Sequence, residues 1–261
     1  MLLKQSSSLK SMRLVFPVAV AALLLLIASA IPLVASAASL QEKKGITLQS
    51  TRVLYSAAEK NGITFKVTNN TTIPYLLQSR VLPWNSAAAE SSEVPSDVPF
   101  IVLPPLQRIE PNEDLSLLIR LTRDELPKDR ESVFILSLKA IPSQAPAAEE
   151  ARLILAMQNN LKMFYRPIGL PSDDIEYLAK KLRFQKRGDQ LTVTNSTPFY
   201  ITFYSLSVGD KEVAGSELAN WLPPFGQHSY PLPKNASGKV KWRLIDAISV
   251  VSPPQQSVLA E

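Results

Sequence analysis

Proline constrains this chain more than any other residue. The 261 residues include 21 prolines against only 8 glycines. Proline fixes φ and has no N–H to donate, so long helices are excluded and ordered segments stay short. From Gly45 onward, the stretches between these stops alternate apolar and polar residues. That period of two is the signature of half-buried strands. Residues 46–55, 64–68, 75–81, 115–121, 132–140 and 152–165 read this way. About seven short strands within about 120 residues fit an immunoglobulin-like sandwich. Residues 85–98 are small, acidic and proline-bearing and are expected to form an exposed loop.

The pattern then breaks and restarts. Pro167-Ile168-Gly169-Leu170-Pro171 reads as a hinge. Residues 173–181 are the one short helix candidate. Residues 181–185, 190–194, 200–208 and 239–245 read as strands of a second, smaller sandwich. The expected fold is therefore all-β, with two immunoglobulin-like β-sandwich domains at residues 38–166 and 172–251. A flexible tail is expected over residues 252–261.

The first residues obey different rules. Lys4, Lys10 and Arg13 form a positive start without an acid, and residues 14–38 carry no charge. Ala35-Ser36-Ala37 closes the run as a small-x-small cleavage site. Residues 1–37 are expected to be a signal peptide; an uncleaved anchor is the alternative. Removing them takes three positive charges from a formal net charge of +5. Basic stripes interleaved with aromatics are absent, so a nucleic-acid partner is not expected.

Other classes fall on composition. With no cysteine, disulfide scaffolds, thiolate metal sites and cysteine nucleophiles are excluded. His228 is the only histidine, which leaves no second imidazole for a histidine-rich metal site. The scattered glycines spell neither a P-loop nor a dinucleotide fingerprint. No cofactor and no metal are expected. An exported chain without cysteine suits a bacterial periplasm.

Residues 153–157, Leu-Ile-Leu-Ala-Met, are apolar on both strand faces. They form either a central strand buried on both sides or an edge whose outward residues await a partner. An unpaired apolar edge is an aggregation liability, so a protein that keeps one must use it.

Four stretches resemble the PapD-like periplasmic pilus chaperone family: residues 51–55 (TRVLY), 99–111 (PFIVLPPLQRIEP), 126–142 (LPKDRESVFILSLKAIP) and 161–170 (LKMFYRPIGL). Their order and spacing match as well. Fainter similarity continues through residues 195–200 and 245–246. The resemblance implies two immunoglobulin-like domains set as a boomerang, no enzymatic activity, and a function in holding unassembled pilus subunits for an outer-membrane usher. It implies that Leu153, Leu155 and Met157 donate side chains to a subunit's open groove by strand addition. It implies that Arg52 and Lys162 bind the subunit's C-terminal carboxylate, a task suited to a planar guanidinium fork and a compact ammonium. It also implies that Glu131, Arg166 and Asp246 form an inter-domain ion-pair network. The short connection over residues 142–151 resembles the short-loop branch that serves rod-like pili. A weak homodimer through the apolar edge is expected for the free protein.

Two rival readings need different residues. A carbohydrate-binding sandwich would use Trp84, Trp221 and Trp242 as stacking platforms. A hydrolase would use acid pairs such as Asp173-Asp174 or Glu149-Glu150. Tryptophans in sandwiches are more often core, and both acid pairs sit in polar, loop-like contexts.

Overall fold

The computed structural model describes residues 45–84, 98–143 and 155–259. The expected signal peptide, the 85–97 part of the expected loop, most of the 142–151 connection, Leu153 and the Glu149-Glu150 pair lie outside these residues.

Nine strands build the first sandwich. They are β1 (Gly45–Leu48), β2 (Arg52–Ser56), β3 (Ile63–Asn70), β4 (Tyr75–Pro83), β5 (Phe100–Leu103), β6 (Leu106–Ile109), β7 (Asp114–Leu121), β8 (Ser132–Pro142) and β9 (Met157–Arg166). One sheet has the order β1-β3-β7-β5 and the other β2-β9-β8-β4-β6. Alternate residues of each strand enter the core between them: Phe65 and Val67 from β3, Leu117 and Ile119 from β7, Leu136 and Leu138 from β8. Tyr55, Phe100 and Tyr165 fill one end with edge-on and tilted ring contacts.

The expected single strand over residues 46–55 is in fact two. β1 pairs with β3 in one sheet, and β2 pairs with β9 in the other. The chain crosses between sheets at Gln49–Thr51. Crossing lets one segment close both edges of the sandwich, and it makes β2 parallel to the last strand.

The second sandwich holds α1 (Ile175–Lys180), β10 (Leu182–Arg187), β11 (Gln190–Asn195), β12 (Phe203–Val208), β13 (Lys211–Glu212), α2 (Gly215–Leu218), β14 (Gln227–Pro231), β15 (Val240–Leu244) and β16 (Gln255–Ser257). Its sheets are β10-β11-β14 and β13-β12-β15-β16. The Asp174 side chain accepts from the Tyr177 amide and starts α1. Trp242 packs in this core, tilted against Phe184.

The expectation of a flexible tail is corrected. β16 pairs with Val240–Trp242 of β15. Ser252 is fully buried, and its hydroxyl accepts from the Leu244 amide. Polar residues can close a sheet edge because the backbone supplies the bonds, so Gln255–Ser257 carry no apolar signal to reveal the strand.

Both sandwiches share one corner. Asn69 is fully buried; its amide donates to the carbonyls of Ile73 and Glu110 and its oxygen accepts from the Thr71 amide and hydroxyl. Asn195 does the same with the Phe199 and Pro223 carbonyls and with Thr197. A buried asparagine with all its bonds made holds a turn rigid. The second corner fixes the Pro198 carbonyl and the Tyr200 amide, which face the first sandwich.

Candidate functional site: a cationic cleft beside an open strand edge

The parallel register of β2 on β9 sets Arg52 directly opposite Lys162, Leu54 opposite Phe164 and Ser56 opposite Arg166. Side chains alternate along strands, so this row lies on the face turned away from the first core, which takes Val53, Tyr55, Met163 and Tyr165. The outward face is not left to water. Leu82, Ile135 and Phe164 are buried yet belong to neither core. Phe164 meets the second sandwich, where Trp221 and Tyr200 pack against it at ring distances of 5.7 and 6.4 Å.

Two cations are therefore held side by side in a partly closed space. The Arg52 Nη1 donates to the Thr202 hydroxyl at 3.3 Å. Burial holds the Arg52 guanidinium below its ordinary range, and Asp246 works against that shift. The Lys162 ammonium is pushed down to about 8, by burial first and by the Arg52 charge second. Among the described residues no carboxylate comes within ion-pair distance of either. Half-buried cations without a counter-ion are costly, and a bound anion would relieve that cost.

Glu131 and Arg166 form the joint beneath this cleft. Glu131 is 3% exposed. Its Oε1 accepts from Arg166 Nε at 2.9 Å and Nη2 at 2.7 Å, and its Oε2 accepts from the Tyr200 amide at 2.9 Å. The Glu131 amide donates to the Pro198 carbonyl at 2.9 Å. Burial pushes this carboxyl up, opposed by the guanidinium and the Tyr200 amide. Arg166 also lies over the Phe199 ring at 5.0 Å.

The second carboxylate on Arg166 is Asp173, reached by Nη1. This replaces the expected Asp246. The Asp246 carboxylate instead accepts the Ile248 and Val250 amides at 2.9 and 2.7 Å, closing a turn in its own domain. Its link to the first sandwich is the field it exerts on Arg52. Asp173 lies just past the hinge prolines, which bring it back over the strand that ends at Arg166.

The donor-strand expectation meets an edge. β8 pairs with β9 along Met157–Tyr165, but β2 covers β9 only from Lys162 onward. Among the described residues nothing pairs with Met157–Leu161 on that side. The face of β9 that buries Leu161, Met163 and Tyr165 continues outward into Met157, 47% exposed, and Leu155, 71% exposed. A central strand buried on both faces is excluded for these two residues.

Among the described residues the rival sites dissolve. Trp242 is core, Trp221 is buried, and Trp84 is stacked on Trp221. Asp173 is paired to Arg166 and Asp174 caps α1.

Two family models match in sequence: the N-terminal domain of the PapD pili and flagellar-assembly chaperones over residues 45–171, and the C-terminal domain of the PapD pili assembly chaperones over residues 178–248. This chain belongs to the PapD-like pilus chaperone family. The chaperone protein FimC of Escherichia coli is 34% identical over 220 residues, spanning 82% of this chain and 85% of that protein. The probable fimbrial chaperone ElfD of the same species is 36% identical over 228 residues, 86% and 91% of the two chains. Among solved structures, the SafB chaperone in complex with SafA pilin from Salmonella enterica superposes with a TM-score of 0.72 at 32% identity, covering 83% of this chain and 97% of that one. The Escherichia coli chaperone DraB gives 0.69 at 33%, covering 83% and 99%. Membership makes the protein a non-enzymatic chaperone of pilus assembly with two immunoglobulin-like domains.

Sequence reasoning missed Asp173 as an Arg166 partner, Thr202 as an Arg52 partner, and the aromatic contact between the domains.

Replacing Arg166 tests the joint. Arg166→Ala should leave both sandwiches folded by circular dichroism but cost about 2 kcal/mol by stranding the Glu131 carboxylate. Small-angle scattering should report a wider distribution of inter-domain distances. An unchanged profile with unchanged thermal stability would remove the pair from that role.

Proposed function

We propose that this protein is exported to the periplasm by residues 1–37, captures pilus or fimbrial subunits by donor-strand complementation, and delivers them to an outer-membrane usher. One observation carries the reading: the open edge of β9 runs straight into two cations that, among the described residues, have no carboxylate within ion-pair distance. A strand added along Met157–Leu161 lies in line with β2 and meets the start of β2 at Arg52. It must end there. Arg52 and Lys162 select the end that carries a carboxylate, so the bound strand is a C-terminal one running parallel to β9.

Clamping the terminus fixes the register, and register decides which groove position receives each donor side chain. Met157 opens β9 and Leu155 precedes it at the spacing of one strand face; Leu153 continues that spacing in the sequence. Burying each contributes roughly 1.5–3 kcal/mol, which offsets the ordering cost of association. SafB, a relative that resembles this chain along nearly its full length, is described in complex with a pilin. Only fourteen residues separate Pro142 of β8 from Met157 of β9, which supports a place in the short-loop branch.

Co-expression with a pilin-class subunit tests the reading. A stoichiometric complex should form with the natural subunit and fail with one whose C-terminus is extended by several residues. Equal recovery of both would overturn the carboxylate anchor.

The Lys162 ammonium gives the capture a pH dependence. Binding needs the charged form, and in the free protein that form is lost as pH rises through about 8. Arg52 stays charged throughout. Affinity should fall about tenfold between pH 7 and pH 9, following the protonated fraction. Lys162→Arg should flatten the profile. Titration calorimetry across that range checks both.

A further inference from the structure

We propose that the cleft of the free protein is an imine-forming site for small 2-oxo acids, with Lys162 as the attacking amine and Arg52 as the group that binds the acid's carboxylate. The site itself depends only on the paired cations; its effect on capture rests on the anchor reading above.

The geometry supplies both halves of such a site. Arg52 and Lys162 face each other across one parallel strand pair, on the same outward face. Adjacent strands lie about 4.8 Å apart. Arg52 also lines an inter-domain cavity of 110 Å³, together with Leu54, Phe164 and Thr202, which is room for a molecule of a few heavy atoms. A guanidinium binds a carboxylate as a planar fork. In a 2-oxo acid the carbonyl carbon is bonded directly to that carboxylate, so binding at Arg52 sets the electrophile beside the amine on the neighbouring strand.

The surroundings of Lys162 favour an amine that can attack. Opposite it on β2 stands Arg52, a like charge. Opposite it on β8 stands Ile135, which is apolar and buried. From the second sandwich the buried Trp221 stands beside it, and Asp246 acts on Arg52. Burial and the Arg52 charge together push the ammonium down to about 8. Desolvation and a cationic neighbour are the two ways a lysine is made nucleophilic near neutral pH. Exposed lysines such as Lys66 and Lys128 sit on carboxylates instead.

The step balances without an oxidant or reductant. The neutral Nζ attacks the carbonyl carbon. The carbonyl oxygen takes both protons of the amine and leaves as water, and a C=N bond replaces C=O. At pH 7.5 about one-quarter of Lys162 is neutral, against about 0.1% of an ordinary lysine. A less basic nucleophile is also intrinsically weaker, with a slope of about one half for thiols. The net advantage is about tenfold.

The test incubates the full-length mature protein with pyruvate and cyanoborohydride, which reduces an imine to a stable secondary amine, and maps carboxyethylated lysines by mass spectrometry. Lys162 should be modified about tenfold faster than the exposed lysines at pH 7.5. Pyruvamide, which keeps the carbonyl but lacks the carboxylate, should lose most of that preference, and so should Arg52→Ala. Modification spread evenly over the lysines overturns the proposal, as does equal preference for Lys162 with pyruvamide. Should Arg52→Ala fail to fold, the comparison of pyruvate with pyruvamide on wild-type protein decides alone. Protein modified at Lys162 is then mixed with a pilin-class subunit refolding in its presence, and capture should be lost. Full capture by that protein overturns the role of Lys162 in the anchor, while selective modification still supports the imine site.

Discussion

Lys162→Ala and Arg52→Ala are each expected to abolish subunit capture while both sandwiches stay folded. Truncating one partner of a buried, hydrogen-bonded charge pair costs roughly 2–5 kcal/mol of binding, at least about thirtyfold in affinity. The free protein should not suffer, because neither cation has a carboxylate to lose. Lys162→Met should in fact stabilise it. Folding takes the Lys162 ammonium from an ordinary 10.5 down to about 8. Between those values the unfolded chain binds more protons, so stability rises with pH across that window. The cost of burying the charge is thus present in full below pH 8 and fades toward 10.5. A methionine there removes it. Thermal melts at pH 7 should show Lys162→Met at or above wild type while a subunit pull-down is empty. A destabilised variant that still binds would invert the assignment.

Charge on the donor face should be as damaging to capture. Leu155→Glu would carry a carboxylate into an apolar groove, at a cost of several kcal/mol. The residue is 71% exposed, so the variant should fold normally. We also expect two copies to cover this apolar edge in the absence of subunit, since such a contact would be self-complementary. Leu155→Glu should remove any concentration-dependent species seen on sedimentation of wild-type protein. A variant that is unfolded by circular dichroism would mean that Leu155 belongs to a core. A folded variant with full capture would take the residue out of the donor set.

How much of this could be read beforehand depends on the distance each signal spans. Strand existence is local, and the alternation in β3, β7 and β8 was legible. The switch between β1 and β2 left a trace, since the core-facing positions slip from Ile46 and Leu48 to Val53 and Tyr55 across polar Gln49–Thr51, but a phase slip alone does not say that the second half joins another sheet. β16 was invisible because its polar side chains need no core. That Arg52 and Lys162 belong together came from the family resemblance. No local pattern encodes the parallel register that sets them side by side. Asp246 was expected at Arg166 because it is an acid in the matching stretch. Its own turn satisfies it first, with two backbone amides, and Asp173 takes the guanidinium. The Trp84–Trp221 stack joins two domains, and strand patterns within either one say nothing of it.

The parallel pairing of β2 with β9 has a consequence for the timing of assembly. Arg52 and Lys162 stand at opposite ends of the first sandwich's sequence, and everything between must emerge before β9 can take its place. Contacts of such long sequence separation bear the largest loop-closure cost and slow folding accordingly. A chain still being delivered into its compartment therefore has separate cations, an unfinished edge and no receptor. Competence to hold another protein's unfinished fold arises only once this one is finished.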